Sequence, residues 1–213
     1  MASSDIDICT QALAQLGSPA ISSFADEDVL SVLCANTYPD FRLAMLTAYP
    51  WRFATTERQL ARRAGITPIR FQFSFQLPSD RIDAPEALYS DLSGTRIKSY
   101  EILGDDVNVD FEELWIKYLI DVTEPKWPPS FTRFVILAYA ASIARAVREE
   151  NSLAISLAAA AWGDIKRRDG GAFRAAKVID SRRSNQRSML EDGGPLIQAR
   201  LSGSRNNFQG VIN

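Results

Sequence analysis

The sequence predicts an α+β fold: a mainly α-helical bundle of about four helices, a small antiparallel β sub-domain and an extended C-terminal arm. Apolar residues recur at helical spacing in the first and last parts of the body and at strand spacing in between. They become sparse after residue 180. The implied divisions are 1–65 and 124–180 for the helices of the bundle, 66–123 for the β sub-domain and 181–213 for the arm.

The first helix is expected over 5–16. Ile6, Cys9, Leu13 and Leu16 share one side, Ser3 or Ser4 caps it, and Gly17 with Pro19 stops it. A second helix is expected over 26–48, with Asp26, Glu27 and Asp28 in a first turn where the helix dipole favours negative charge. Val29, Val32, Leu33, Tyr38, Phe41, Met45 and Leu46 form its apolar stripe, and Pro39 should kink or divide it. Tyr49, Pro50 and Trp51 close it. With Phe53 they make an aromatic cluster that could line a ligand pocket but is better suited to seat a helix–sheet junction.

After a helical or extended piece over 55–63, the apolar period changes to two. Phe71, Phe73, Phe75 and Leu77 alternate with Gln72, Ser74 and Gln76, which describes a strand with one buried face. Residues 100–103 and 107–109 flank Gly104 as a hairpin, and 115–122 form another strand with Trp115, Lys117, Leu119 and Asp121 on one side. The prolines of 125–129 break the chain. Ser130 is expected to cap a third helix over 131–148, apolar nearly all round and therefore buried. A fourth, alanine-rich helix starts at Asn151 or Ser152 and packs closely through its small side chains. Gly170-Gly171 interrupts it, and a remnant is expected over 172–180.

Composition excludes more function classes than it supports. The chain has 213 residues and no histidine, which removes Ser-His-Asp and Cys-His nucleophile systems and the commonest metal ligand. Cys9 and Cys34 are too few for a disulfide scaffold or a zinc site and read as buried thiols. Asp105, Asp106, Asp110, Glu112 and Glu113 crowd together without the spacing of a calcium loop, so a solvated hairpin tip is the preferred reading. No GxxxxGK[ST] loop occurs, and the pairs Gly170-Gly171 and Gly193-Gly194 do not follow strands. No catalytic residue, cofactor or metal is therefore expected. The N-terminus lacks a basic start and a long apolar core, and no run is expected to span a membrane, so a soluble cytoplasmic product is expected.

Charge is divided unevenly. Residues 164–213 carry ten Lys/Arg and five Asp/Glu, whereas 1–163 carry 14 and 21. An acidic body and a basic tail let like copies attract head to tail. The tail's Arg182, Arg183, Arg187 and Arg205, with apolar Leu196, Ile197, Leu201, Phe208, Val211 and Ile212, form an arm too poor in apolar residues for its own core. Such an arm is expected to become ordered on another protein. The alternative is a nucleic-acid-binding module acting through the same basic segment, which Asp164, Asp169, Asp180 and the lack of stacking aromatics disfavour.

Several runs together resemble the tail tubular protein A family of short-tailed bacteriophages. They are Ile8-Cys9-Thr10-Gln11-Ala12-Leu13 with Leu16-Gly17, Tyr38-Pro39-Asp40-Phe41-Arg42, and Tyr49-Pro50-Trp51-Arg52-Phe53-Ala54. Phe75-Gln76-Leu77-Pro78-Ser79-Asp80, the stretch 118–125 and a helix opened by Phe131 continue the series through most of 5–180. The resemblance implies a non-enzymatic head-to-tail adaptor, or gatekeeper, in the virion neck and made in the host cytoplasm. It implies a ring, typically of twelve copies, between the portal protein and the tail nozzle protein; the free protein is expected to be a monomer. Double-stranded DNA would pass through the lumen, and no membrane is involved. The bundle and arm would face the portal and the β part the nozzle.

Overall fold

The computed structural model describes residues 4–65, 68–148, 151–164 and 170–183. These contain five α-helices and two three-stranded antiparallel sheets, an α+β fold. Residues Met1–Ser181 make one compact unit. Of the second, Arg182–Asn213, only Arg182 and Arg183 belong to the described residues.

Helix α1 (Asp5–Gln15) opens on a capping box. Asp7 N–H donates to Ser4 Oγ at 3.1 Å, and Ser4 N–H donates to the Asp7 carboxylate at 2.9 Å. Its far end is closed from outside. The Arg148 guanidinium donates to the carbonyls of Leu16 (2.6 Å) and Gly17 (2.9 Å), covering acceptors that a helix end leaves bare. Helix α2 (Val29–Thr47) begins three residues later than expected. Asp28 is its cap, and Asp26 is spent on the preceding turn, accepting from Ser22 Oγ and Ser23 N–H, so the first turn holds no acid. The helix continues through Pro39 rather than dividing there.

A short 3-10 turn (Arg52–Ala54) leads directly into strand β1 (Thr55–Gln59), so the β region starts at 55 and not at 66. Strands β2 (Phe73–Gln76), β3 (Ala87–Tyr89), β4 (Glu101–Leu103), β5 (Asp106–Val109) and β6 (Trp115–Leu119) follow. One sheet has the order β1-β6-β3, with Thr55 opposite Leu119 and Leu88 opposite Ile116. The other has the order β2-β5-β4, with Ser74 opposite Asn108 and Asn108 opposite Glu101. The expected hairpin is present as β4–β5, turning at Gly104 with φ +61°. Phe75, Val107 and Val109 from one sheet and Leu88, Ile116 and Tyr118 from the other share a small apolar core.

Helix α3 (Pro129–Arg148) starts at Pro129, two residues before the expected start, so Ser130 lies in its first turn and is not the cap. By length and mean hydropathy (20 residues, 1.3) it is apolar enough to cross a membrane, contrary to the expectation that no run would be. It carries Arg133, Arg145 and Arg148, and nine of its residues are buried against other helices, as in the central helix of a core. Packed on it are α1, α2, α4 (Asn151–Trp162) and α5 (Gly171–Ser181). Glycine is required where α4 passes to α5. A Cβ on Gly163 (φ +71°) would lie 2.4 Å from Gly170 Cα.

Candidate interaction surfaces

The aromatic cluster occupies the centre of the helical core. Trp51 is fully buried, and its indole N–H donates to the Met45 carbonyl at 3.1 Å. Its ring lies 4.8 Å from Phe131, 5.0 Å from Tyr49, 5.8 Å from Phe173 and 6.0 Å from Phe53, mostly edge to face. The end of α2, the approach to β1, α3 and α5 therefore meet on one side chain. Tyr49 is half-buried and Pro50 exposed. Asp180 of α5, 3% exposed, accepts the Arg52 N–H at 2.8 Å and holds the same turn from below.

A polar clamp missed in the sequence lies beside it. Arg42 on α2 pairs with Asp121 and places Nε 2.8 Å from the Glu124 carboxylate, which also accepts the Tyr38 hydroxyl at 3.1 Å. Burial first, and the Glu124 charge second, hold the Tyr38 hydroxyl far above its ordinary pKa, so it remains a donor. Nothing in the spacing of residues 38, 42, 121 and 124 advertises this, because α2 and the segment after β6 are joined only by folding. Nearby, Cys9 and Cys34 are both fully buried and free. The hydrogen bond to Cys34, with burial, holds the Cys9 thiol far above its ordinary pKa, as suits an inert core group.

Three of the acidic residues of 105–113 have separate partners. Asp105 pairs with Arg81 at 2.9 Å, Asp106 with Arg63 at 2.8 Å, and Asp110 accepts the Gln72 N–H at 3.1 Å. Among the described residues no group of three or more His, Cys, Asp or Glu could hold a metal ion.

No protein-family model matches the chain, and no curated protein matches it. What the chain can do must therefore follow from its own surfaces. Of the residues expected to form an arm, Arg182 and Arg183 are exposed in the turn after α5. Arg187, Leu196, Ile197, Leu201, Arg205, Phe208, Val211 and Ile212 lie outside the described residues, as do Lys166, Arg167 and Arg168. The body exposes apolar side chains at the start of α2 (Val29, Val32), on α4 (Ile155) and on α5 (Val178, Ile179). Between α3 and α5 runs a groove of about 610 Å³ whose floor is small: Ala160, Gly171, Ala172 and Ala175.

One surface departs from the amphipathic reading of the β region. Ser74 is predicted to face solvent, yet it is 1% exposed, and its cross-strand neighbour Asn108 is 4% exposed. Ser74 is covered although Phe75 enters the apolar core on the opposite side of β2. Pro68, Ile69 and Arg70 lie with Ser74 around one cleft, and at the strand's edge Arg63 N–H donates to the Ser74 carbonyl at 2.8 Å. No sequence signal could have found this, since Ser at a solvent-facing position and Ser beneath a loop give the same alternation.

Proposed function

We propose that this chain is a structural head-to-tail adaptor of a bacteriophage virion. Copies of it would form a ring, of twelve subunits, that joins the portal to the tail nozzle and leaves a lumen for passing DNA. The observation that carries the reading is the ordered series of residues that resembles the tail tubular protein A family. Its members converge in this fold: Ile8, Cys9, Ala12 and Leu13 of the first run, Tyr38 of the second, Trp51 and Ala54 of the third, and Phe131 all belong to one buried cluster. A chain without histidine, with the aromatic residues around Trp51 committed to packing, suits a spacer better than a catalyst.

In this reading the helices form a bundle that carries the β part as a sub-domain, and 181–213 is the arm. Arg182 and Arg183 stand where the arm leaves the body. With Arg187 and Arg205 they would pair with acidic portal or neighbour surfaces, and Leu196, Ile197, Leu201, Phe208, Val211 and Ile212 would enter apolar hollows there. Ring closure uses the same two unlike patches on every copy, to which an acidic body and a basic tail are suited.

The test is electron microscopy of the purified protein alone and mixed with assembled portal, with rings expected only in the mixture. A chain truncated after Arg183 keeps all of α5 and the Asp180–Arg52 bond. It is expected to fold and to fail to attach. Full attachment of the truncated chain would remove the arm from the proposal. No attachment by the complete chain would remove the adaptor itself, and strong, salt-dependent binding of duplex DNA by the protein alone would favour the nucleic-acid reading.

A further inference from the structure

The covered face of the β2–β5–β4 sheet is hollow as well as polar. A cleft of about 420 Å³ opens there, a size within the usual range for small-molecule sites. Ser74, Asn108 and Glu101 form one cross-strand row along its floor. The Ser74 hydroxyl has no hydrogen-bond partner among the described residues, although the residue is almost completely buried. A buried, unmatched hydroxyl destabilises a fold and is rare enough to need an explanation. It sits on the face opposite the apolar core, because its neighbour Phe75 points into that core.

The chemistry of the lining narrows what could satisfy it. Strands lie about 4.8 Å apart, so Ser74 and Glu101, two strands apart, are separated by roughly 10 Å. Ligands on opposite sides of one calcium ion stand only about 5 Å apart, so the row does not fit a single cation. An anion would find Arg70 but would also face Glu101 and Asp106, and a cationic amine would meet Arg70 with Arg63 close behind Asp106. The row itself alternates donors and acceptors: a hydroxyl, an amide offering both, and a carboxylate. Neutral hydroxyl groups donate and accept at once and match that alternation. Ile69 and Leu103, both largely exposed, give apolar sides for C–H faces.

We propose that this cleft binds a neutral, hydroxyl-rich ligand, a saccharide of one or two rings, lying across Ser74, Asn108 and Glu101. The site is independent of the adaptor reading and stands or falls separately from it. The experiment is a backbone amide NMR titration of the complete chain with glucose and maltose, with inorganic phosphate, magnesium and putrescine as charged probes. A saccharide should move the amides of Ser74, Asn108 and Glu101 saturably, and the charged probes should not. Ser74→Ala should keep the dispersed spectrum and weaken saccharide binding by roughly fivefold to tenfold, the loss of one hydrogen bond. Glu101→Gln, at a half-buried edge position, is a second variant and should weaken binding similarly. Absence of saturable shifts with both sugars overturns the proposal. So does unchanged affinity in both variants, and so does phosphate or magnesium taking the site in place of sugar.

Discussion

Replacing Glu124 by Ala tests whether the polar clamp, and not only apolar packing, ties α2 to the segment after β6. Glu124 is 9% exposed and accepts from Tyr38, itself 2% exposed, at 3.1 Å. Its contact with Arg42 Nε at 2.8 Å is a charge pair without hydrogen-bond alignment, whereas Asp121 receives aligned bonds from the same guanidinium, one of them 3.2 Å. The variant therefore leaves Arg42 its bonds to Asp121 and to the Val122 carbonyl, and Tyr38 without a partner. An unsatisfied buried hydroxyl costs about 1–3 kcal/mol, and removing one member of a buried ion pair about 3–5 kcal/mol. Because Asp121 remains, about 3 kcal/mol is expected for Glu124→Ala. For a chain of this length each kcal/mol shifts Tm by about 2–4 °C, so Tm should fall by roughly 6–12 °C. Tyr38→Phe alone should cost about 1 kcal/mol. The double variant should cost less than the two singles added, since Tyr38→Phe removes the hydroxyl that Glu124→Ala would strand. Circular dichroism melts and urea titrations of the four proteins provide the measurement. A Glu124→Ala loss under about 1 kcal/mol, or strictly additive losses, would refute the clamp.

Ser74→Ala should raise stability by about 1 kcal/mol in urea titration of the ligand-free chain, because it removes a buried hydroxyl that nothing matches; a loss of that size would mean the hydroxyl is bonded after all. Gly163→Ala should lower stability by at least about 1–2 kcal/mol, since its φ of +71° disfavours a side chain and the new Cβ would meet Gly170 backbone at 2.4 Å; thermal melting measures it. Asp91 accepts the Ser93 hydroxyl and then the Thr95 N–H, which lower its pKa to about 2. A lowered carboxylate stabilises the fold above its unfolded value of about 3.9 and ceases to as pH falls through the folded one. The ordering of the 91–95 turn should thus persist at pH 4 and be lost towards about pH 2, and amide exchange at Thr95 should show no such step in Asp91→Asn.

Features set by a few neighbouring residues were legible in the sequence. The Ser4 cap, the Gly104 hairpin and the buried run of α3 each follow from local spacing, and each is present. Features set by folding were not. Strand β1 reads Thr-Thr-Glu-Arg-Gln and has three exposed residues; it is a strand because β6 pairs with it along its whole length. Strand β3 has only three residues and no alternation long enough to recognise. Acids at 26–28 suggested a helix start, but Asx-type turn bonding claimed Asp26 first, so the boundary moved to Asp28. The candidate surfaces divide in the same way. The aromatic cluster of 49–53 was visible as a run, whereas the Arg42–Glu124 clamp and the Ser74 cleft each join residues far apart in sequence.

The two apolar cores meet at Ile120, and that arrangement bears on the spacer role proposed above. Ile120 packs against both cores, and its N–H donates to the Ala54 carbonyl at 2.8 Å. On either side of it, Arg42 holds Asp121, and the Trp127 indole donates to the Val122 carbonyl at 2.7 Å. Thr55 Oγ1 donates to the Trp51 carbonyl at 2.7 Å where the other strand enters. Apart from Arg42 on α2, the residues of these ties fall in two stretches, 51–55 and 119–127, which run side by side as β1 begins and β6 ends. Two antiparallel crossings joined by backbone bonds resist hinging better than one flexible linker, because bending one requires breaking the ladder to the other. A load applied to the β part is thus delivered to α2 and α3 through the Arg42 and Trp51 neighbourhoods. Loosening either should soften the connection between the two cores, even where every helix remains folded.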